Sequence, residues 1–415
     1  MRFIKLLFTA IFLFAVSIAT AQSGITHLRK LSSPQFHGRG YYKKGDHKAA
    51  VYIRDEFRRL GLSPVNGSYF QDFSFPVNTF PGKMKVAAGQ KTLIPGRDYI
   101  VSPACPSVKG TFQIHQLKSL QQTFDPSGIA DDFLLVDKSA FPDSLQTVVD
   151  SILRNPPPFK GVVVLEPKKL TWSVATKVAG QVVIRVLKNN WPVASKTITL
   201  DIRNEFIEAY QTQNVMAMIP GSSNPDSFIV FTAHYDHLGR MGKKALFAGA
   251  NDNASGTSMI LDLAAYYMKP ENRPGKSLLF IAFAAEEAGL IGSKYYTDHP
   301  PLPLGNIRFL LNLDLMGNGE EGMMVVNGEL HTAEYDLLNT INDQQKLLKT
   351  IGKRGKARNS DHYWFSEKGV PAFFFYTTGG STAYHDIDDV AANLPMTEFE
   401  DVKKLIIAFV NNTGK

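Results

Sequence analysis

Cysteine is almost missing from this chain: Cys105 is the single one among 415 residues. No intrachain disulfide can form, so stability in an oxidising compartment would rest on packing and on metal. Long apolar runs are equally scarce. After Leu6–Ala19 no stretch approaches the roughly twenty apolar residues that a spanning helix requires. No internal repeat is found. The 45 basic and 38 acidic residues leave a net charge of +7, but the lysines are scattered and not interleaved with aromatics. That excludes a nucleic-acid footprint, and the mild basicity bears on solubility, not on partners.

What is present begins with Met1-Arg2-Phe3-Ile4-Lys5, the apolar run Leu6–Ala19, and Ala19-Thr20-Ala21 before Gln22. A basic start, a short apolar core and an Ala-x-Ala end read as a secretory signal peptide over residues 1–21. No cysteine follows for lipid attachment. The mature protein is expected to start at Gln22 and to be exported, to the periplasm or beyond the cell. No stable membrane association is expected after cleavage. Beyond the signal the chain is too long for one small core, which suggests two domains.

Residues 22–69 form the first part of one unit. Ala49, Ala50, Tyr52, Ile53, Phe57 and Leu60 recur at helical spacing from about Asp46, and Gly61 supplies the stop. His37 and Arg39 read as loop residues. From 70 to 210 short β-type runs alternate with Gly, Pro and Asp clusters: Lys85–Ala88, Asp98–Val101, Thr111–His115, Asp132–Val136, Gly161–Leu165 and Val182–Leu187. This predicts a mostly-β insert, in which His115 stands alone with no metal-type spacing. From 211 to 415 strands and helices alternate. Strands are predicted at Asn214–Met218, Phe228–Ala233, Leu278–Ala284, Ile307–Leu313, Gly322–Val326 and Ala372–Tyr376. Helices are predicted at Ser255–Met268, Glu287–Thr297, Ala333–Gln345, Asp361–Lys368 and Met396–Asn411. The alternation predicts an α/β fold: a mixed, mostly parallel sheet with helices on both faces.

Polar residues gather where the apolar runs stop. His234-Tyr235-Asp236-His237 follows Phe228–Ala233, and Glu286-Glu287 follows Leu278–Ala284. Asp314 closes Ile307–Leu313, His385 lies beyond Phe373–Tyr376, and Asp252 sits in a small-residue loop before a helix. In open α/β sheets ligands bind at the carboxyl edge of the strands. Two histidines and three carboxylates suit a pair of zinc ions sharing one carboxylate and one water. Such metals, about 3.5–4 Å apart, can generate a hydroxide and clamp a tetrahedral intermediate. A further carboxylate must then move the proton, and Glu286 beside Glu287 offers both roles.

These motifs resemble the co-catalytic di-zinc aminopeptidases, the metallopeptidase family that includes glutamate carboxypeptidase and the transferrin-receptor ectodomain. The resemblance covers Gln213 to the carboxyl end, extends weakly to the first helix, and likens the insert to a protease-associated domain. It implies that His234 and Asp314 bind one zinc, that Glu287 and His385 bind the other, and that Asp252 bridges them. Glu286 would be the general base, Asp236 the acid that orients His234, and Asp389 an acid that helps set the last loop. Asn253 stands where the family often has a second aspartate. Asp361, His362 and Tyr384 would contact substrate, although Asp361 could also cap its helix. His237 acquires no role. The implied substrate is a peptide with a free amino terminus. Gly369–Thr378 carries no arginine or lysine to receive a terminal carboxylate, while Arg97 and Arg185 in the insert stay unplaced. Three alternatives remain: a single-zinc glutaminyl cyclase, a carboxypeptidase of the same fold, and a binding module without catalysis.

Overall fold

The computed structural model describes residues 23–122, 124–125, 128–154 and 158–413. The expected signal peptide, Gln22 and most of the Pro156–Pro158 loop lie outside the described residues. The chain opens with helices α1 (Ser23–Leu31) and α2 (Gly45–Leu60). Helix α2 buries Ala49, Ala50, Ile53 and Phe57, and Gly61 at φ 89° returns its N–H to the carbonyl of Arg58. That left-handed position is open to glycine at little cost, so the helix stops there.

Strand β1 (Phe70–Thr79) leads into the insert: β2 (Met84–Ala88), β3 (Lys91–Leu93), β4 (Tyr99–Val101), β5 (Val108–Gln116), β6 (Phe133–Asp137), α3 (Gln146–Arg154), β7 (Gly161–Glu166), β8 (Val182–Leu187) and β9 (Thr197–Ile202). These eight described strands form a mixed sheet in the order β3-β2-β9-β5-β6-β7-β8-β4. Strands β10 (Glu205–Ile219) and β11 (Asn224–His234), the hairpin β12 (Gly239–Met241) and β13 (Ala245–Phe247), and α4 (Gly256–Tyr267) follow. Then come β14 (Lys276–Phe283), α5 (Ile291–Asp298), β15 (Ile307–Asp314), β16 (Gly322–Val326), α6 (Thr332–Gln345), β17 (Ile351–Arg354), α7 (His362–Glu367), β18 (Ala372–Thr378) and α8 (Phe399–Thr413).

The larger sheet runs β1-β10-β14-β11-β15-β18-β16-β17. Its centre, β14-β11-β15-β18, is parallel. Alternate residues feed opposite faces. Ile229, Phe231 and Ala233 pack with α1, α2, α4, α6 and α8, while Phe228 and Val230 pack against Tyr296 of α5 and Phe365 of α7. Burial on both faces explains why these strands read as unbroken apolar runs.

Several boundaries differ from the sequence expectation; β10, for example, starts at Glu205 and not at Asn214. Segment 70–210 does not belong wholly to the insert: β1 pairs antiparallel with β10 in the larger sheet, Phe70 opposite Val215 and Thr79 opposite Glu205. The polar, half-exposed alternation of an edge strand made β1 look like part of the insert. The helix expected from Glu287 begins at Ile291, because Glu286–Leu290 forms a turn with Leu290 at φ 61°. The insert does not stand apart from the rest. Leu238, Met241, Ala245 and Phe247 of the β12–β13 region share a core with Trp172, Val101 and Ile184.

Candidate metal centre

Because the central strands are parallel and in step, their carboxyl ends share one edge. His234 lies opposite Phe283, and Asp314 opposite Tyr376. His234 ends β11, Asp314 ends β15, and Glu286-Glu287 follow β14 through Ala285 at φ 56°. His385, at φ 55°, comes from the loop after β18, and Leu315 at φ 53° follows Asp314. Left-handed backbone at three non-glycine residues next to the acidic and imidazole groups is strain of the kind that collects at functional sites.

The side chains converge. His234 Nε2 stands 3.3 Å from Asp252 Oδ1 and 3.3 Å from Asp314 Oδ2. His385 Nε2 stands 3.0 Å from Asp252 Oδ2 and 3.2 Å from Glu287 Oε2. Asp252 therefore faces one histidine with each oxygen. Its neighbour Asn253 binds Leu313 O at 2.9 Å and receives the Gly256 N–H at 2.8 Å, anchoring the loop before α4. Glu286 lines the same cavity of about 230 Å³, with Tyr384, whose ring stacks on His385 at 4.0 Å.

Charge in this cluster is nearly all buried. Burial works against protonation of His385, yet Glu287 and Asp252 hold its pKa up at about 11. Burial likewise raises Glu287, but His385 and His237 bring it down to about 2. Asp252 is held well below the usual range against its own burial by His234 and His385. Protons on these imidazoles thus occupy the place a cation would take, and a metal would displace them. Nitrogen and carboxylate donors around a shared Asp252 fit divalent metal. Glu286 behaves differently: burial, with Asp361, Glu287 and Asp314 adding to it and His234 opposing, lifts its pKa well above normal.

Several residues sit elsewhere than expected or were missed. The Asp236 carboxylate stands 3.8 Å from His234 Nδ1, which is 3.2 Å from the Asp236 main-chain oxygen. Its oxygens receive Tyr41 Oη at 2.8 Å and the N–H groups of Glu286 and Glu287 at 3.1 and 3.3 Å. It holds the Glu286-Glu287 turn more closely than the imidazole. Asp389 receives the N–H groups of Asn251 and Asp252 at 2.7 and 3.1 Å, bracing the Asp252 loop. Asp361 and His362 are buried behind the cavity and do not line it; burial pushes Asp361 up to about 7. His362 packs on Phe374 instead.

His237, without a role from the sequence, is buried with Nδ1 2.7 Å from Glu287 Oε1. Arg39, expected in a plain loop, is fully buried. It donates to Tyr235 O, Ala248 O and Gly249 O at 2.7 Å each. Its pKa falls to about 10 by burial, and Asp389, Asp252, Asp236 and Glu287 oppose that fall. The flanking glycines were the available signal: a Cβ at Gly38 would stand 2.0 Å from Phe247 O, and one at Gly40 2.4 Å from Gly239 Cα. Only a bare backbone allows this approach. From the insert, Trp172 O stands 2.9 Å from His385 Nδ1 and Trp172 N donates to His385 O at 2.9 Å. Nothing in the local sequence announces that contact. Arg97 and Arg185 are both engaged, with Asp98 and Glu166.

An α/β sheet with helices on both faces, and imidazoles and carboxylates converging at its carboxyl edge, defines a metallohydrolase-like class. Residues 214–410, a little under half of the chain, match the family described as peptidase family M28. Among curated relatives, aminopeptidase YwaD of Bacillus subtilis is 28% identical over 215 residues, 49% of this chain and 45% of that protein. A probable leucine aminopeptidase of Arthroderma otae is 26% identical over 207 residues, 48% of this chain and 57% of that protein. The matches thus span about half the length of these relatives. Among solved structures, a zinc aminopeptidase of Bacillus subtilis, BSAP, superposes with a TM-score of 0.72 at 20% identity, covering 95% of each chain. A peptidase M28 precursor of Shewanella amazonensis SB2B gives 0.71 at 15% identity, covering 95% of this chain and 92% of the other. At these identities the structural likeness is one of fold, and it takes in the insert.

Proposed function

We propose that the protein is a zinc-dependent aminopeptidase that holds two metal ions and removes amino-terminal residues from peptides. The carrying observation is Asp252, whose two oxygens face His234 and His385 at 3.3 and 3.0 Å. In this reading His234, Asp252 and Asp314 would hold one ion, and Asp252, Glu287 and His385 would hold the other. Zinc bound there would lower the pKa of water and polarise the scissile carbonyl. Glu286, which lines the same cavity beside Glu287 and Asp314, takes the proton from the attacking water and passes it to the leaving amine. Asp236, through the amides of Glu286 and Glu287, keeps both carboxylates in place. His237 keeps Glu287 turned, and Trp172 O holds His385 with Nδ1 protonated and Nε2 facing the acids. The acidic wall of the cavity receives the substrate's ammonium.

The test compares a pentapeptide such as Leu-Gly-Gly-Gly-Gly, whose carboxyl end lies well beyond the reacting bond, with its acetylated and its carboxyl-amidated forms. Acetylation is expected to abolish cleavage and amidation to leave it. The reverse pattern would make the enzyme a carboxypeptidase. A single zinc per active chain would favour the cyclase chemistry.

A further inference from the structure

One wall of the cavity is cationic. Arg354 ends β17 and lines the cavity with Asn359, Phe374, Tyr376 and Tyr384. Sheet register brings it there: Arg354 lies opposite Val326 of β16, and Val326 opposite Phe374 of β18. Its Nη1 donates to Tyr376 Oη at 3.0 Å, the side chain is exposed, and it forms no ion pair among the described residues. Neighbouring cations are engaged. Lys353 lies over Tyr335, Lys356 pairs with Glu367, and Arg358 covers Tyr363 and Trp364. The cavity thus carries carboxylates and, beside the rings of Phe374 and Tyr376, a guanidinium that has no carboxylate partner among the described residues.

We propose that Arg354 is a specificity-determining residue that receives a substrate carboxylate. An unpaired guanidinium, oriented by a phenol hydroxyl, offers the remaining N–H groups of its planar fork to carboxylate oxygens. The carboxylate has two sources: the side chain of an acidic amino-terminal residue, or the carboxyl end of a dipeptide. Both place an acid within one residue of the bond to be cleaved. This rests on the aminopeptidase reading above, and it adds a preference that the metal centre alone does not supply.

The experiment measures kcat/KM in zinc-loaded protein for two acid–amide pairs. Glu-Ala-amide against Gln-Ala-amide reads the side-chain source, and Leu-Ala against Leu-Ala-amide reads the terminal source. The acid is expected to be favoured about tenfold or more in one pair, the size of a hydrogen bond to a charged group. Arg354→Gln is expected to bring that ratio close to one, and Arg354→Lys to restore part of it. Equal ratios in wild type and Arg354→Gln for both pairs would overturn the inference. Calorimetric binding of the same four compounds to Glu286→Gln protein reads recognition without turnover. Carboxylate-dependent binding without any cleavage by wild type would count against the peptidase reading alone. Cleavage of all four with no acid preference would count against Arg354 alone, and neither cleavage nor carboxylate-dependent binding would overturn both.

Discussion

Glu286 and Glu287 are adjacent in sequence and alike in chemistry, yet their surroundings separate them. Burial raises both, but two imidazoles bring Glu287 down to about 2, whereas Glu286 stays pushed up by its burial, with other carboxylates adding to it and His234 opposing. Pairs of carboxyls driven apart in this way take different roles. Glu286→Gln should fold and keep its metal but lose turnover by about 10²–10⁴-fold, the usual general-base contribution. Near-normal activity in metal-replete Glu286→Gln would remove it from the mechanism. A second buried acid makes a pH prediction away from the metal centre. Asp46, at the start of α2, accepts from Tyr210 Oη at 2.6 Å and Thr212 Oγ1 at 2.8 Å. Burial nevertheless lifts its pKa from 3.8 to about 6. Between those values the folded state keeps a proton that the unfolded state has lost, so stability falls as pH rises through the window. The full effect is on the order of 3 kcal/mol. Asp46→Asn removes it, so urea unfolding of metal-free protein at about pH 4 and pH 6.5 should show wild type losing ground to the variant. Parallel pH profiles would mean that Asp46 stays ionised in the fold.

At the scale of elements, two segments outside the central strands brace the centre. The turn between α1 and α2 sends Arg39 under the Asp252 loop, where it satisfies main-chain carbonyls from three separate stretches. The insert sends Trp172 to His385, with the indole fixed by Val101 O at 2.8 Å and packed on Phe247. Lys169 adds an ion pair to Asp386 at 2.7 Å. Trp172→Ala should cost about 3–5 kcal/mol of stability through the cavity it leaves. Alanine keeps the main-chain carbonyl that meets His385 Nδ1, so metal binding at His385 should weaken only as far as loss of the indole anchor lets that carbonyl shift, by less than the roughly 10–100-fold that follows loss of a histidine's outer partner. Metal titration of the folded variant is the check, and unchanged affinity would show that the main-chain carbonyl keeps its place beside His385 without the indole.

At the scale of the whole molecule, the candidate metal centre draws on β11, β15, the turn after β14, the loop after β18 and the turn before α4, so bound metal would tie distant parts of the chain together. Ligands that bind only the native state stabilise it, by about 4.1 kcal/mol when free metal is a thousandfold above Kd. Chelation should therefore abolish activity and lower the Tm. Zinc should restore both, with two equivalents per chain on direct metal analysis. A Tm indifferent to chelation would mean that the donors are already arranged and stabilised without metal.

Periodicity and strand ends make most of the catalytic unit legible in the amino-acid sequence itself. Unbroken apolar runs become strands because both sheet faces must be covered, and polar residues just past them fall on one edge because the strands are parallel. That physics places His234, Glu287, Asp314 and His385 together without knowledge of their distances. It fails for β1, whose half-exposed alternation carries no mark of the sheet it joins. It fails again where function depends on contacts between segments far apart in sequence. Trp172 meets His385 through a main-chain carbonyl, Arg39 reaches carbonyls some two hundred residues away, and Arg354 enters the cavity by register across three strands. A main-chain carbonyl has no residue identity to read, and an arginine looks the same on the surface as in a cavity. Local pattern decided the strands and the acids and histidines at their ends. Which carbonyl, carboxylate or guanidinium faces each of them was decided by tertiary packing, because those partners are chosen by distance in space and not by spacing along the chain.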